Sequence, residues 1–283
     1  MPEQPDAPAE KRHPSMPPEA TAYVAEALRR GAEVTDPAIR QWRDIMYGPS
    51  PHQLMDVFAS TDLANRPLPI LVYIHGGGWT HGAKEWMTFM APALTRYPAI
   101  LIVPSYGLAP AHTHPEPVVD CLRALVCTRQ KAADFGGDPD RLFVGGHSVG
   151  GHISAMIALR PDLCADHGFP HEAIRACFPV SGLFCVYDTD PTAPADMKEA
   201  SPMHWIDHAS VPFYVSYGEK DYGRIIEENV AFVERLGATG VHLESETLGG
   251  LDHYGANLCN GDMDSSWSRR VRAWMAANGA PGG

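Results

Sequence analysis

The chain has no C-x-x-C cysteine pair, no surplus of basic charge, no apolar run long enough to cross a bilayer and no internal repeat. Each absence removes a class of function. Its six cysteines (Cys121, Cys127, Cys164, Cys177, Cys185 and Cys259) are scattered, which excludes the common zinc frameworks and leaves free, buried thiols as the expectation. A membrane helix needs roughly 18 consecutive apolar residues, and none is approached. A formal net charge of -12 argues against nucleic acid or an anionic membrane as partner, since both attract basic surfaces. The N-terminal residues lack a basic start followed by an apolar core, so no secretory signal is expected and the default location is cytoplasmic.

What is present is ordinary for a globular protein: 283 residues, 45% apolar and 20% charged, enough for one large α/β domain. Residues 1–16 read as a polar, Pro-rich arm, and Pro18 to Arg30 as a helix stopping at Gly31. A second short helix is read from Pro37 to Met46, and an outer strand from Gln53 to Phe58. Compact apolar runs at 69–75, 99–104, 142–147, 176–180 and 212–217 read as buried strands. Between them lie helical patterns at 84–97, 117–135 and 149–159, followed by 224–236, closed by Gly237. Val241 to Leu248 alternates like a strand near the sheet edge, and Ser266 to Ala277 supplies a last helix. Such alternation implies a mostly parallel sheet covered on both faces, with functional residues at the carboxyl ends of the strands. Phe184 to Ser210 has no clear period and is read as a lid insertion.

The organising stretch is Leu142 to Gly151, which holds the chain's one G-x-S-x-G, Gly146-His147-Ser148-Val149-Gly150. A strand turning this sharply into a helix strains its central residue and needs small residues two positions to either side. The serine is thereby exposed over the positive end of the helix. Ser148 is the candidate nucleophile. It needs a base, and the base needs an orienting acid. In a fold with this elbow the chain order is nucleophile, acid, histidine. Tyr217-Gly218-Glu219-Lys220-Asp221 follows a strand and offers Asp221 as the acid, with Glu219 as its rival. His253 follows the last strand and is the candidate base, with Asp252 beside it read as a loop cap. A second glycine cluster, His75-Gly76-Gly77-Gly78-Trp79, can bring bare backbone N–H groups to a developing oxyanion. Gly77 and Gly78 are assigned that role with Val149. The cluster has no Lys followed by Ser or Thr at Walker spacing, as a phosphate loop would.

These motifs resemble the α/β-hydrolase superfamily, specifically its HGGG-bearing branch of hormone-sensitive-lipase-like carboxylesterases and kynurenine formamidase-like enzymes. The likeness runs from about Tyr47 to the end. Ser105-Tyr106-Gly107-Leu108-Ala109-Pro110 resembles the branch's Y-R-L-A-P segment, with Gly107 in place of its Arg and Ala111 in place of its usual Glu. The acid loop lacks the lipase-like D-P-L-x-D pattern. That loop, Tyr47-Gly48-Pro49 and Trp79-x-x-Gly82-x-Lys84 are closer to formamidase-like members. The resemblance implies an α/β-hydrolase fold, a mostly parallel sheet of about eight strands flanked by helices with a small lid. Residues 47–283 would form the catalytic domain with its insertion at about 184–210, and residues 1–46 are read as an N-terminal arm and helix, whether that helix joins the lid being left open.

Trp79, Tyr106, Phe184, Tyr187, Trp205 and Tyr254 fall near the expected active end and would suit an aromatic substrate if they line the pocket. His112-x-His114 lacks a third ligand, so no metal is expected, and no cofactor. The expectation is a serine hydrolase acting on a small ester or amide, with a homodimer left open. The alternative is a small-molecule receptor on a hydrolase scaffold that has lost catalysis.

Overall fold

A computed structural model describes residues 15–62, 67–97, 99–187, 190 and 197–279. Most of the expected N-terminal arm (1–14) and part of the expected lid (188–189 and 191–196) lie outside the described residues. The strands are β1 (Ile39–Met46), β2 (Leu54–Ser60), β3 (Leu68–Ile74), β4 (Ile100–Pro104), β5 (Gly137–His147), β6 (Ile174–Val180), β7 (Phe213–Gly218) and β8 (Leu243–Leu248). The helices are α1 (Pro18–Ala32), α2 (Ala91–Thr95), α3 (Glu116–Lys131), α4 (Val149–Leu159), α5 (Pro161–Asp166), α6 (Gly223–Thr239), α7 (His253–Leu258) and α8 (Ser266–Ala277).

The strands form one eight-stranded sheet in the order β1-β2-β4-β3-β5-β6-β7-β8. The pairings from β4 to β8 are parallel, while β2 runs antiparallel to both β1 and β4. The central strands are apolar throughout because both faces are covered. Successive side chains divide between the faces. Ile70, Val72, Ile74, Ile100, Ile102, Leu142 and Val144 join the core under α3, α4 and α6. Leu71, Tyr73, Leu101, Val103 and Phe143 join the core under α1, α2 and α8. From β3 the chain moves to β4 on one side, and from there back to β5 on the other. The loops leaving β3 and β5 therefore border a topological switch point, where open α/β sheets form their ligand crevice.

Three local expectations are corrected. Residues 37–46 are not a helix, because 39–46 form edge strand β1 and displace β2 from the outer position. The cause is a bulge between Trp42 and Ile45, with Asp44 at φ 56°. The extra residue breaks the period of two and leaves Ile39, Trp42 and Ile45 at a helical spacing. The third correction is the end of α6, which runs past Gly237 to Gly240, whose φ of 80° terminates it.

The bulge wraps a buried charge. Asp56 on β2 is fully buried and accepts from Asp44 N–H at 2.9 Å and Arg43 Nη1 at 2.7 Å. Lys84 Nζ lies 3.0 Å from Asp56, 2.8 Å from Asp44 and 2.6 Å from Glu85. Burial alone would lower the Lys84 ammonium, but its carboxylate neighbours outweigh that and raise it. Lys84→Met leaves Asp56 short of a cation, and breaking a buried pair costs about 3–5 kcal/mol. Because Arg43 remains, a loss near the lower end is expected in urea unfolding, with partial recovery in Lys84→Met/Asp56→Asn.

Candidate active site

Strand β5 ends at His147 and α4 begins at Val149, so one residue makes the whole turn. Ser148 takes φ 56° and ψ -118°, a region that costs a non-glycine residue about 1–3 kcal/mol. Ser148 N–H donates to Val180 O on β6 at 2.9 Å, and Ser148 O accepts from His152 N–H at 3.0 Å. The flanking glycines are dictated by contact. A Cβ on Gly150 would lie 2.0 Å from Ile74 O, and one on Gly146 2.4 Å from the Gly150 backbone.

The loop after β7 carries Asp221 and the loop after β8 carries His253, the first residue of α7. Asp252 caps that helix, accepting from Gly255 N–H at 2.7 Å, as expected for a loop cap. Asp221 Oδ1 accepts from His253 Nδ1 at 2.8 Å and from Tyr222 N–H at 2.8 Å, and Oδ2 accepts from Ser181 Oγ at 2.6 Å. Burial would raise this carboxyl, but the hydrogen bonds from His253, Ser181 and Tyr222 outweigh it and hold it below the ordinary carboxylate value. A carboxylate accepts only, so Nδ1 of a neutral His253 carries the proton and Nε2 keeps its lone pair. Glu219, the rival acid, accepts from Gly250 N–H at 2.6 Å instead.

Ser148 and His253 open onto one cavity of about 340 Å³, which Gly76, Gly77 and Gly78 also line. Gly77, Gly78 and Trp79 have successive positive φ values of 125°, 61° and 61°. Gly77 O accepts from Thr80 N–H at 3.2 Å and His81 N–H at 3.0 Å, fixing the turn. Behind it, His75 Nδ1 bonds Gly76 O at 2.7 Å, and the His75 ring stacks on Tyr106 at 4.2 Å. Val149 is fully buried directly after the serine.

Of the six aromatics expected to line the pocket, Trp79 and Tyr254 do. The other four are elsewhere. Tyr106 is buried behind the glycine loop, where its hydroxyl donates to His75 O at 3.0 Å. Phe184 is fully buried and stacked on Phe232, 3.7 Å away, because the first residues after β6 dive into the core. Trp205 packs beneath Arg160 at 3.8 Å, and exposed Tyr187 lies under Arg224 at 4.5 Å. The reading placed the helix α1 but not its residues at the cavity, to which it brings Ala20, Tyr23 and Val24, together with Trp86, His147 and Leu183. Tyr23 stacks on Tyr254 at 5.1 Å and its hydroxyl accepts from Asn257 Nδ2 at 2.7 Å. The helical pattern from Pro18 to Arg30 announced the element, but no local signal announced where it docks. His147 was identifiable by adjacency to Ser148.

The six cysteines are free, four of them buried, with Cys185 and Cys259 partly exposed. Among the described residues, no group of three or more His, Cys, Asp or Glu is placed to hold a metal ion, and His112 bonds Glu116 at 2.8 Å. No helix among them is long and apolar enough to cross a membrane.

Comparison with known proteins gives consistent likenesses. A family described as the alpha/beta hydrolase fold matches residues 71–198. Esterase LipC of Mycobacterium tuberculosis is 29% identical over 78% of this chain and 60% of its own length. Esterase LipQ of the same organism is 30% identical over 71% of this chain and 56% of its own. The chain thus spans little more than half the length of these two relatives. Kynurenine formamidase of Danio rerio is 25% identical over 82% of this chain and 81% of its own. Among solved structures, esterase B of Lactobacillus rhamnosis superposes with a TM-score of 0.73 over 91% of each chain at 16% identity, a likeness of fold.

Three further imidazoles surround the site and are held neutral. His147 Nε2 bonds His253 O at 2.8 Å, His152 Nε2 bonds Ala200 O at 2.7 Å, and His75 bonds Gly76 O. Burial drives His147 down to about 3, aided by the neighbouring His253. Burial likewise lowers His75 and His152 to about 4. In the unfolded chain each would titrate near 6.5. Between those values the unfolded state binds protons that the folded state refuses, so stability falls as pH falls. Unfolding at pH 5 to 6 is therefore expected to take up more than two protons, a slope of about 3–4 kcal/mol per pH unit in urea melts. A slope below one proton would mean that these rings are charged in the folded state.

Proposed function

We propose that this chain, whose residues 71–198 match the alpha/beta hydrolase fold family and whose motifs resemble its HGGG-bearing branch, is a serine hydrolase of small esters or amides. The observation that carries the reading is the Asp221–His253 hydrogen bond at 2.8 Å, facing the cavity that holds the strained Ser148. In this scheme His253 Nε2 removes the Ser148 proton as Oγ attacks the carbonyl carbon, and Asp221 stabilises the imidazolium. The N–H groups of Gly77, Gly78 and Val149 receive the oxyanion; loss of one such donor costs about 2.7–4 kcal/mol of transition-state stabilisation. His253 then protonates the leaving group. Water, deprotonated by the same nitrogen, releases the acyl group from Ser148.

The substrate class follows from the walls. Tyr23, Trp79, Trp86 and Tyr254 line a predominantly apolar cavity, which supports a planar aromatic moiety stacked on the Tyr23–Tyr254 pair. The names of the relatives, esterases and a kynurenine formamidase, favour an aryl ester or an N-formyl aryl amide. The receptor alternative is disfavoured, since candidates for all three triad members and for the oxyanion donors are present.

Ser148→Ala is expected to abolish turnover of p-nitrophenyl acetate, and undiminished turnover would refute the reading. Asp221→Asn should lower kcat by about 10⁴, the loss typical of an orienting acid, whereas Glu219→Gln should stay within a few-fold of wild type. Tyr23→Ala should raise KM for aryl acetates about tenfold more than for a short alkyl ester, in keeping with roughly 1–1.5 kcal/mol for an aromatic contact, while the loss of the acceptor for Asn257 acts on both substrates alike. Turnover of N-formylkynurenine against aryl acetates then ranks formamide against ester.

A further inference from the structure

Asp221 is held by more than the imidazole it faces. Its Oδ1 serves His253 Nδ1 and Tyr222 N–H, while Oδ2 accepts from Ser181 Oγ at 2.6 Å. Among the described residues, Ser181 is the side chain that donates to Oδ2. It stands one residue beyond the end of β6 and is fully buried. Its φ of 49° lies in the left-handed region that side chains avoid. Ser181 N–H donates to Ser216 O on β7 at 2.8 Å, pinning the strained backbone across the strand pair.

A glycine would adopt this backbone without strain. What a glycine cannot supply is the hydroxyl. A carboxylate tied through one oxygen alone can swing about its last side-chain torsion. Tied through both, it keeps Oδ1 aligned with the imidazole. Ser181 comes from β6, the strand whose Val180 O also accepts the N–H of Ser148. Consecutive residues of one strand end thus touch the backbone of the proposed nucleophile and the side chain of the proposed acid.

We infer that Ser181 is a positioning residue, whose hydroxyl fixes the Asp221 carboxylate so that His253 is held in one orientation and one tautomer. The inference rests on the triad reading above. The titratable rings packed around His253 are His147 at 4.6 Å, Tyr222 at 5.0 Å and Tyr254 at 5.3 Å.

Ser181→Gly removes the hydroxyl and also relieves the backbone, so it separates the two roles of the residue, and Ser181→Ala removes the hydroxyl alone. Both variants are expected to lose kcat on p-nitrophenyl acetate by about 10- to 100-fold, the scale of one hydrogen bond to a charged group. KM should stay within about twofold, since Ser181 does not line the cavity. With less donation to Oδ2 the carboxylate holds the imidazolium more tightly, so the acid limb of kcat/KM should move to higher pH. In the resting protein, the downfield His253 Nδ1–H proton should shift in the NMR spectrum of Ser181→Gly. A Ser181→Gly protein with wild-type kcat, pH profile and Nδ1–H resonance would overturn the inference. Failure of the triad reading looks different, namely full turnover in Ser148→Ala. The proton resonance needs no turnover and judges Ser181 in either event.

Discussion

The strained backbone at Ser148 is the constraint on which the site depends. A residue at φ 56° persists only where its surroundings over-determine it. Here they do so by packing β3, β5 and β6 side by side, with Ile74 O against Gly150 and Val180 O on the Ser148 amide. The same packing sets the distance between the glycine loop after β3 and the serine after β5. A proposed nucleophile and its proposed oxyanion donors are thus parts of one sheet edge, and neither can be moved without rebuilding the other.

Electrostatically the site separates one ionised carboxylate from several neutral rings. Asp221 keeps its charge despite burial because both its oxygens accept hydrogen bonds. His75, His147 and His152 stay neutral because burial outweighs what their backbone partners return. His147 packs directly on His253, at 4.6 Å between ring centres. Were it cationic, it would oppose the imidazolium that the proposed mechanism forms. Its neutrality leaves the carboxylate as the charge that sets the properties of His253.

Much of this was legible in the sequence because the relevant residues stand where a strand ends. Ser148 and Asp221 each follow a compact apolar run and His253 an alternating one, so period and chain order marked all three as candidates at one end of the sheet. Legibility failed where contact replaced period. The bulge at Asp44 made a strand imitate a helix, because one inserted residue changes a spacing of two into three. Phe184 sits in a segment without period and was assigned to the pocket, whereas its ring is stacked in the core on Phe232. Ser181 carried no signal at all. A lone serine after a strand is unremarkable until its φ and its partner are known.

The helix α1 shows why a wall and a base cannot be separated in this protein. Asn257 lies one turn after His253 on α7, so a hydrogen bond to its side chain bears on the placement of that imidazole. Its Nδ2 donates to Tyr23 of α1, and its Oδ1 accepts from Tyr73 of β3 at 2.9 Å, whose hydroxyl in turn accepts from Asn260 at 2.8 Å. These groups are buried, and a buried donor left without its acceptor costs about 1–3 kcal/mol. Displacing α1 would therefore strip the Tyr23–Tyr254 wall from the cavity and unsatisfy the helix that carries His253 in the same step. An element far from the elbow in sequence thereby bears on both what the cavity accepts and how its base is held.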